Sequence, residues 1–413
     1  MGQSRQIYFL SLVAMTIMTG FGIIFPIFPK FLEHFGGGVW ELGILTAAWA
    51  LSATLFSPLL GSFADRYGRR LVIIISLVGY SFSNIGFLVS KSFIHLLIFR
   101  FLEGSFSAGI NPAAIALASE LSEEEERAQA IGIVTAGSSI GIVVGPMVGG
   151  FLFALIPSFE IPFLVSASFG LIGVAFAFYL LEESKVIQKN QNLAAKRFSF
   201  SQIYSKIPKP FFAFSAYLLV TIFSVSSWML IEPSFSFYIY DDLNLEPYHF
   251  GVFVSVYGVM VAIGQGLLGG LSDRYGRKPV IFIGAMINAT FYVMMVYAKT
   301  FFLLNIAAIV AGIGLGLMNP ALNALITEVT NEENHGLVLG IGNSAIALSQ
   351  IVAPLIGSFY YEHASGDPMT TLFWISAIMG GISTIMTMFL NFRKETAFKT
   401  EIKDYPQIPV LGD

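Results

Sequence analysis

The chain has 413 residues, of which 55% are hydrophobic and only 12% are charged. Soluble proteins carry about 25% charged residues, so this composition cannot cover a water-facing surface and favours a protein that spans a membrane. The net charge of -4 argues against nucleic acid as a partner, and the absence of cysteine excludes disulfides and thiolate chemistry.

Twelve apolar segments follow in chain order, each long enough to cross a hydrocarbon core of about 30 Å. They are continuous rather than alternating, and many contain Gly or Pro, which favours membrane helices over barrel strands. The first is too long for a signal-peptide core and lacks a cleavage site, so we expect it to remain as the first helix. The sequence therefore predicts an all-α membrane protein with twelve transmembrane helices, at residues 7–29, 42–62, 71–90, 93–118, 129–153, 161–181, 211–240, 250–270, 279–298, 300–326, 336–360 and 370–391.

The distribution of basic residues predicts the orientation of these spans. Of the 22 Lys and Arg residues, eighteen fall in segments that share one side with both termini, and Arg100 lies within a span. Only Lys30, Lys91 and Lys299 fall on the other side. Because basic residues are enriched in cytoplasmic loops, we expect a multi-pass protein of the cell (plasma) membrane with both termini cytoplasmic.

A polar, basic stretch at residues 182–209 divides the spans into six and six. We expect an N-terminal six-helix bundle at residues 1–182, a cytoplasmic linker at 183–209, a C-terminal six-helix bundle at 210–391 and a cytoplasmic tail at 392–413.

The two halves repeat at one fixed offset. Residues 61–70, with the sequence GSFADRYGRR, match residues 269–278, with the sequence GGLSDRYGRK, at a shift of 208 residues. The same shift carries Asn111 onto Asn319. Because each copy holds an even number of spans, both copies have the same orientation in the membrane. This arrangement predicts two parallel bundles around a central cavity, and it implies alternating access.

At these loops the chain resembles the major facilitator superfamily, over essentially its whole length. Span 5 resembles the antiporter motif of the drug:proton exporters of that family, through Gly137, Gly141, Gly145, Pro146 and Gly149. The resemblance implies a twelve-helix secondary transporter with a rocking motion, no catalytic activity, no cofactor, and a monomer in the bilayer.

The repeated loop signature is the predicted gating latch. In the family, the aspartate of this loop accepts hydrogen bonds from the start of span 11, which is near Gly336 here, where the helix dipole favours an anion. We expect Arg69 to pair with Asp65 or Glu120, Gly61 to let helices approach, and Gly68 to permit a tight turn. The alternative is that these charges only anchor loops and set topology. The latch residues are Asp65, Arg69, Glu120, Asp273, Arg277 and Glu328.

The small residues of span 5 recur at every fourth position, which keeps them on one helix face. The matching positions of span 11 are also small or proline, so we expect close-packed surfaces that slide between the halves. The alternative is ordinary packing without a gating role. The span 11 positions are Ala345, Ser349, Ala353, Pro354 and Gly357.

Three charged residues stand well inside the spans, and such residues are functional-site hypotheses by default. Arg100 and Glu103 share a face of span 4 at i,i+3, while Glu232 has no basic neighbour one turn away on span 7. The family often has Gln where this chain has Glu103. Burial favours the protonated form of Glu103 and Arg100 favours the ionised form, so the sequence leaves open a neutral pair or a proton carrier. All three are candidates for proton coupling.

Aromatic and weakly polar residues are predicted to line the cavity. We expect a proton-coupled exporter of small lipophilic or amphipathic compounds, because Met and aromatic walls suit varied ligands. The alternative is an importer of sugars or organic acids; a channel or receptor would lack the paired gate signatures. Scattered histidines argue against a metal site or an enzyme. The substrate-cavity candidates are Phe21, Phe25, Asn111, Trp228, Phe235, Tyr257, Asn319, Asn343 and Gln350.

Overall fold

A computed structural model describes residues 3–123, 125–183, 206–331 and 334–392. Within these ranges the regular elements are all helices, and twelve of the helical segments are long and apolar enough to cross a membrane, which confirms the predicted fold class. The spans are Gln3–Ile24, Val39–Tyr67, Arg69–Leu88, Phe93–Ser107 with Ile110–Leu121, Arg127–Leu155, Glu160–Leu180, Phe211–Met229 with Glu232–Phe237 and a π-helical turn Tyr238–Asp242, Pro247–Leu268, Arg277–Tyr297, Phe301–Glu328, His335–His363 and Pro368–Thr387.

Spans 2, 5 and 11 are longer than their apolar segments, at 29 residues each. The sequence-based limits were set where the apolar residues end, but the polar residues beyond those limits are also helical. Span 2 ends only where Gly68 adopts φ 108°, a backbone conformation that disfavours side chains with a Cβ.

Proline interrupts three of the spans. Span 1 was predicted to reach residue 29, but its helix ends at Ile24, just before Pro26. Span 4 breaks three residues before Pro112, and span 7 breaks before Pro233. Each proline lacks an N–H donor and its ring clashes with the carbonyl four residues earlier, which explains the position of each break. Short helices, Phe28–Glu33 and Leu271–Tyr275, flank spans 2 and 9.

The spans pack mainly within their own halves. In the first half, span 1 packs on spans 5 and 6, span 2 on span 4, and span 3 on span 6; in the second half, span 7 packs on spans 11 and 12, and span 10 on spans 8 and 9. The main contacts between halves are span 5 with span 8 and span 2 with span 11. The predicted division into two bundles stays a prediction, and residues 184–205 of the linker and 393–413 of the tail lie outside the described residues.

The halves meet at one end of the molecule and separate at the other. We call the end that carries the two loop signatures the basic end, and the other the closed end. At the closed end, a Cβ added to Gly150 would lie 2.5 Å from the Tyr248 Cα, and one added to Gly43 would lie 2.0 Å from the Ser358 Oγ. At the basic end, a Cβ on Gly61 would meet nothing within 4 Å. The space between the halves therefore opens toward the basic end.

Candidate functional site

A cavity of about 220 Å³ lies between the two halves. Spans 1, 2 and 4 of the first half and spans 7 and 11 of the second half form its wall. Its charged lining side chains are Arg100 and Glu232, one from each half, set among aromatic rings. The lining residues are Phe21, Phe25, Thr46, Trp49, Ala50, Arg100, Trp228, Met229, Glu232 and Gln350.

Arg100 is held on two sides. Its Nη1 lies 2.6 Å from the Glu103 Oε2, and the Glu103 side chain is only 1% exposed. The guanidinium also lies over the Phe28 ring, with its central carbon 4.3 Å from the ring centroid. An arginine fork fixed by a buried carboxylate and an aromatic face cannot swing freely, so Arg100 presents its remaining N–H groups in a set direction.

Glu232 differs from Glu103 in having no close partner. Its Oε2 atom is buried and makes no hydrogen bond with any described residue. The sequence places no cation near it on its own helix, but the structure brings Arg100 from the other half to the same cavity. Glu232 is therefore neither isolated from charge nor simply solvated. It is a carboxylate whose Coulomb partner lies across the interface between the halves.

A second cavity, of about 230 Å³, lies within the first half. Phe21 and Trp49 line both cavities, and their ring centroids are 5.8 Å apart. These two rings therefore form the partition between a charged chamber and a largely apolar one. The second cavity is lined by Ile17, Met18, Phe21, Trp49, Ala53, Tyr80, Ser107, Ala108, Ile110, Asn111 and Pro112.

Several predicted cavity residues line these two spaces, but others do not. Phe21, Phe25, Trp228 and Gln350 line the central cavity, and Asn111 lines the second. The prediction for Phe235 is wrong, because this side chain is 0% exposed and packs in a buried aromatic cluster. The rings of Trp228 and Phe235 do lie together, as helical spacing predicted, with centroids 5.9 Å apart, but Phe235 belongs to the buried cluster and does not line the cavity.

The remaining three candidates lie outside both cavities. Tyr257 stacks behind Trp228, with ring centroids 6.4 Å apart and planes at 8°. Asn319 and Asn343 are exposed on spans 10 and 11, and neither lines either cavity.

The sequence analysis missed Trp49, Thr46 and Met229 as lining residues. The internal repeat held a signal for two of them. At the shift of 208 residues, Trp49 corresponds to Tyr257 and Met229 corresponds to Phe21, both of which were selected as candidates.

The predicted latch residues form the same ion-pair network in each half. Arg69 contacts Asp65 at 2.5 Å and Glu120 at 3.0 Å, so it pairs with both of its expected partners. Arg277 contacts Asp273 at 2.5 Å and Glu328 at 2.6 Å.

These networks stay within their halves. The Asp65 side chain is 69% exposed, and among the described residues it makes no hydrogen bond or ion pair with the start of span 11. Gly61 does not mediate a close helix approach, because the basic end is open and nothing lies within 4 Å of its Cβ position. The role of the network as a latch stays a prediction.

The row of small residues on span 5 packs against span 1 of the same half. Cβ atoms added to Gly137, Gly141, Gly145 and Gly149 would lie 2.0–2.5 Å from carbonyl oxygens of span 1. The expectation that this row forms the sliding surface between halves is therefore wrong. Small residues indicate that a helix packs closely, but they do not indicate which one.

The contact between the halves uses the neighbouring face of span 5. The Ser255 hydroxyl donates to the Val143 carbonyl at 2.5 Å, and a Cβ on Gly251 would lie 2.3 Å from the Pro146 carbonyl oxygen. In the second half, Gly357 of span 11 packs against span 7, and a Cβ there would lie 1.7 Å from the Leu230 oxygen. The two halves therefore use equivalent packing.

An ion-pair cluster joins the halves at the closed end. Lys30 contacts Glu33 of its own half at 3.1 Å and Asp241 of the other half at 3.2 Å. Burial opposes the charged ammonium, but hydrogen bonds with Glu33 and Asp241 outweigh it and raise the pKa of Lys30. Burial also raises the pKa of Glu33, against the opposing effect of Lys30. The backbone N–H of Trp40 adds a second link by donating to the Glu362 carboxylate at 3.1 Å.

No group of three or more His, Asp or Glu side chains that could hold a metal ion occurs in the described part of the chain. The arrangement can instead bind a ligand between the halves and hold a charge at Glu232, in a space that opens toward the basic end.

Comparison with known proteins agrees with this architecture. The chain is 27% identical over 353 residues to Multidrug resistance protein 2 of Bacillus subtilis (strain 168), covering 83% of this chain and 85% of that protein. It is 24% identical over 361 residues to Quinolone resistance protein NorA of Staphylococcus aureus (strain COL), covering 87% and 90%.

Among solved structures, the nucleoside transporter NupG matches with a TM-score of 0.78 at 13% identity, covering 93% of this chain and 99% of that chain. A bacterial homolog of the human lysosomal transporter Spinster, in an inward-facing and occupied conformation, matches with a TM-score of 0.76 at 15% identity, covering 94% and 97%. The family model of the Major Facilitator Superfamily matches residues 10–231 and 217–408, which together span most of the chain. The protein is therefore a twelve-span transporter of the Major Facilitator Superfamily.

Proposed function

We propose that this transporter exports small lipophilic or amphipathic compounds in exchange for protons, by alternating access of the central cavity. The observation that carries the proposal is Glu232, a carboxylate without a hydrogen-bond partner in an aromatic cavity between the halves. The names of the similar proteins from Bacillus and Staphylococcus, which refer to multidrug and quinolone resistance, support the same substrate class.

The charges around the cavity explain how a proton and a ligand can exclude each other. Arg100 carries one positive charge, while Glu103 and Glu232 can carry two negative charges. One excess negative charge in a low-dielectric cavity is costly unless a proton or a cationic ligand neutralises it. Because Glu103 already pairs with Arg100, Glu232 is the group that exchanges its neutralising partner.

The observed opening is compatible with export. With the basic end in the cytoplasm, the observed opening faces the cytoplasm, where an exporter loads its ligand. The bundle at residues 1–182 would rock against that at 210–391 as a monomer. The cluster at Lys30 would break as the closed end opens, and the Asp65 and Asp273 networks would then latch the basic end.

An importer of sugars or organic acids is the second reading of the same architecture. Organic acids would favour more than one central cation, but Arg100 is the one Lys or Arg that lines the central cavity, and it is already paired with Glu103. Sugars would favour a polar lining, whereas most of the lining is aromatic or aliphatic.

Uptake into inverted vesicles with and without a pH gradient tests the proposal. We expect the wild-type protein to accumulate lipophilic compounds only when the vesicle interior is acidic. The Glu232→Gln variant is expected to lose this dependence, and Glu103→Gln is the matched control. Proton dependence that survives in Glu232→Gln, alone and combined with Glu103→Gln, would place the coupling site elsewhere.

A further inference from the structure

Three buried polar atoms without a hydrogen-bond partner lie in the wall of the central cavity. They are the Trp49 Nε1, the Arg100 Nε and the Glu232 Oε2, and no described residue contacts any of them by a hydrogen bond. Folded proteins pair nearly all their buried polar groups, so a cluster of unpaired ones in a single wall requires an explanation. Because the three residues that carry these atoms line one cavity between the halves, a bound ligand is the partner that can satisfy them.

The chemistry of these atoms defines a pattern. The indole N–H of Trp49 and the Nε–H of Arg100 can only donate hydrogen bonds, while an ionised Glu232 can only accept them. The matching ligand carries a hydrogen-bond acceptor and, separately, a donor or cationic nitrogen. A lipophilic cation without an acceptor would satisfy Glu232 and leave both donors unpaired.

Trp49 is the best placed of the two donors to discriminate between ligands. Arg100 is already occupied by Glu103 and by the Phe28 ring, whereas the indole N–H of Trp49 has no competing partner. The Trp49 backbone is fixed, because the Ser52 hydroxyl donates to its carbonyl at 2.9 Å. Span 4 also approaches closely there, since a Cβ on Gly104 would lie 2.4 Å from the same carbonyl oxygen.

The position of Trp49 adds a second reason. Its ring and that of Phe21 line both the charged chamber and the apolar one, so a ligand that extends from one chamber to the other must pass these two rings.

We propose that Trp49 is a specificity-determining residue, whose indole N–H binds an acceptor group on a ligand that presents a cationic nitrogen to Glu232. The transported compounds are then aromatic amines that also carry a carbonyl or similar acceptor. This inference rests on the proposed function only in taking the central cavity as the binding site.

Equilibrium binding of three matched radiolabelled probes to purified protein in nanodiscs tests this inference without a pH gradient. The first probe is an amino ketone, with a naphthyl group, a ketone, a propyl chain and a dimethylamino group. The second has a methylene in place of the ketone. The third keeps the ketone but has an isopropyl group in place of the dimethylamino group. The proteins are wild type, Trp49→Phe, and Trp228→Phe as a control for a second indole in the same wall.

We expect wild type to bind the amino ketone about threefold to tenfold more tightly than the methylene probe, as one net hydrogen bond allows. Trp49→Phe is expected to lose this preference, because phenylalanine keeps an aromatic ring but has no N–H donor, and its measurable binding of the methylene probe shows that the variant is folded. Trp228→Phe is expected to weaken the binding of both probes by the same factor. The third probe, which has no cationic nitrogen, should bind weakly to every protein.

A wild-type protein that shows no preference for the amino ketone, or does not bind it, would overturn the inference. The inference would also be overturned by a Trp49→Phe variant that keeps the preference for the amino ketone, including one that binds both probes more weakly by the same factor. Because no gradient is applied, failure of proton coupling in vesicles would leave these binding results intact, so the two proposals fail separately.

Discussion

The two halves of the molecule carry the same ion-pair network at the basic end and different residues at the centre. Arg69 joins Asp65 to Glu120 in the first half, and the second half repeats that arrangement around Arg277. At the shift of 208 residues, however, Arg100 and Glu103 correspond to Ala308 and Ala311, and Glu232 corresponds to Ile24.

The difference separates two physical tasks. Ion pairs and packing that support the fold of each half are needed in both halves, so they recur. A ligand or a proton needs one asymmetric site, and each half supplies a different charge to it. Changes that make the centre symmetrical should therefore affect binding and coupling, while changes to the repeated parts should affect packing and the rate of conformational change.

The largest expected effect follows from removing one member of the central ion pair. Arg100→Ala leaves Glu103 buried and unpaired, and such a change costs about 3–5 kcal/mol of folding free energy. The double variant Arg100→Ala/Glu103→Ala gives span 4 the residues that span 10 already has, and it should be considerably more stable than the single variant. Unfolding by denaturant in mixed micelles measures both; equal losses would show that the pair is not coupled.

The next effect tests whether the halves pack equivalently. Gly149→Ala and Gly357→Ala each place a methyl group within 2.0 Å of a neighbouring carbonyl oxygen. Overpacking of this kind costs about 1–3 kcal/mol, so both variants should lose similar thermal stability. Gly132→Ala is the control, because nothing lies within 4 Å of its Cβ position. A Gly149 variant as stable as the Gly132 variant would contradict the packing described above.

A smaller effect is expected at the repeated loops. Asp65→Asn and Asp273→Asn weaken matching ion pairs, so each should slow efflux about tenfold, equivalent to about 1.4 kcal/mol in the barrier. Abundance in the membrane should not change, because the mutated side chains are largely exposed. Efflux rates normalised to protein amount measure this. Wild-type rates in both variants would remove the latch role, and an effect in only one would show that the loops are not equivalent.

The smallest effect is expected at the closed end. Lys30→Ala removes a partly exposed link between the halves, worth at most about 1 kcal/mol, so it should shift the conformational populations only a few-fold. Spin labels attached at His34→Cys and His363→Cys can measure the distance between the two halves at the closed end, because the chain has no cysteine of its own.

The link has a defined pH dependence. The pKa of Lys30 in the folded protein is raised above its ordinary value of 10.5. The stabilisation that the Lys30 ion pairs give is therefore fully present below pH 10.5, and it is lost only as the pH rises through the raised pKa. The difference in distance between wild type and Lys30→Ala should therefore stay constant between about pH 6 and pH 9. A difference that changes within that range would show that the link depends on another titrating group.

The sequence predicted the fold well because bilayer thickness and hydropathy set the number of spans. The breaks near Pro26 and Pro112 were missed because other spans accommodate a proline without interruption, as span 10 does at Pro320. The partner of the Gly137 row was predicted wrongly, since small residues specify close approach but not the neighbour. Trp49 was missed because its burial and free N–H depend on how spans 1, 2 and 4 pack together.

Proton release on ligand binding is the most direct test of the central claim that Glu232 exchanges a proton for the transported compound. The amino ketone probe would be added to purified protein in weakly buffered solution near neutral pH, with a pH-sensitive dye as the readout. We predict that wild type and Glu103→Gln release protons on binding and that Glu232→Gln binds without release. Equal release from Glu232→Gln and wild type would contradict the account.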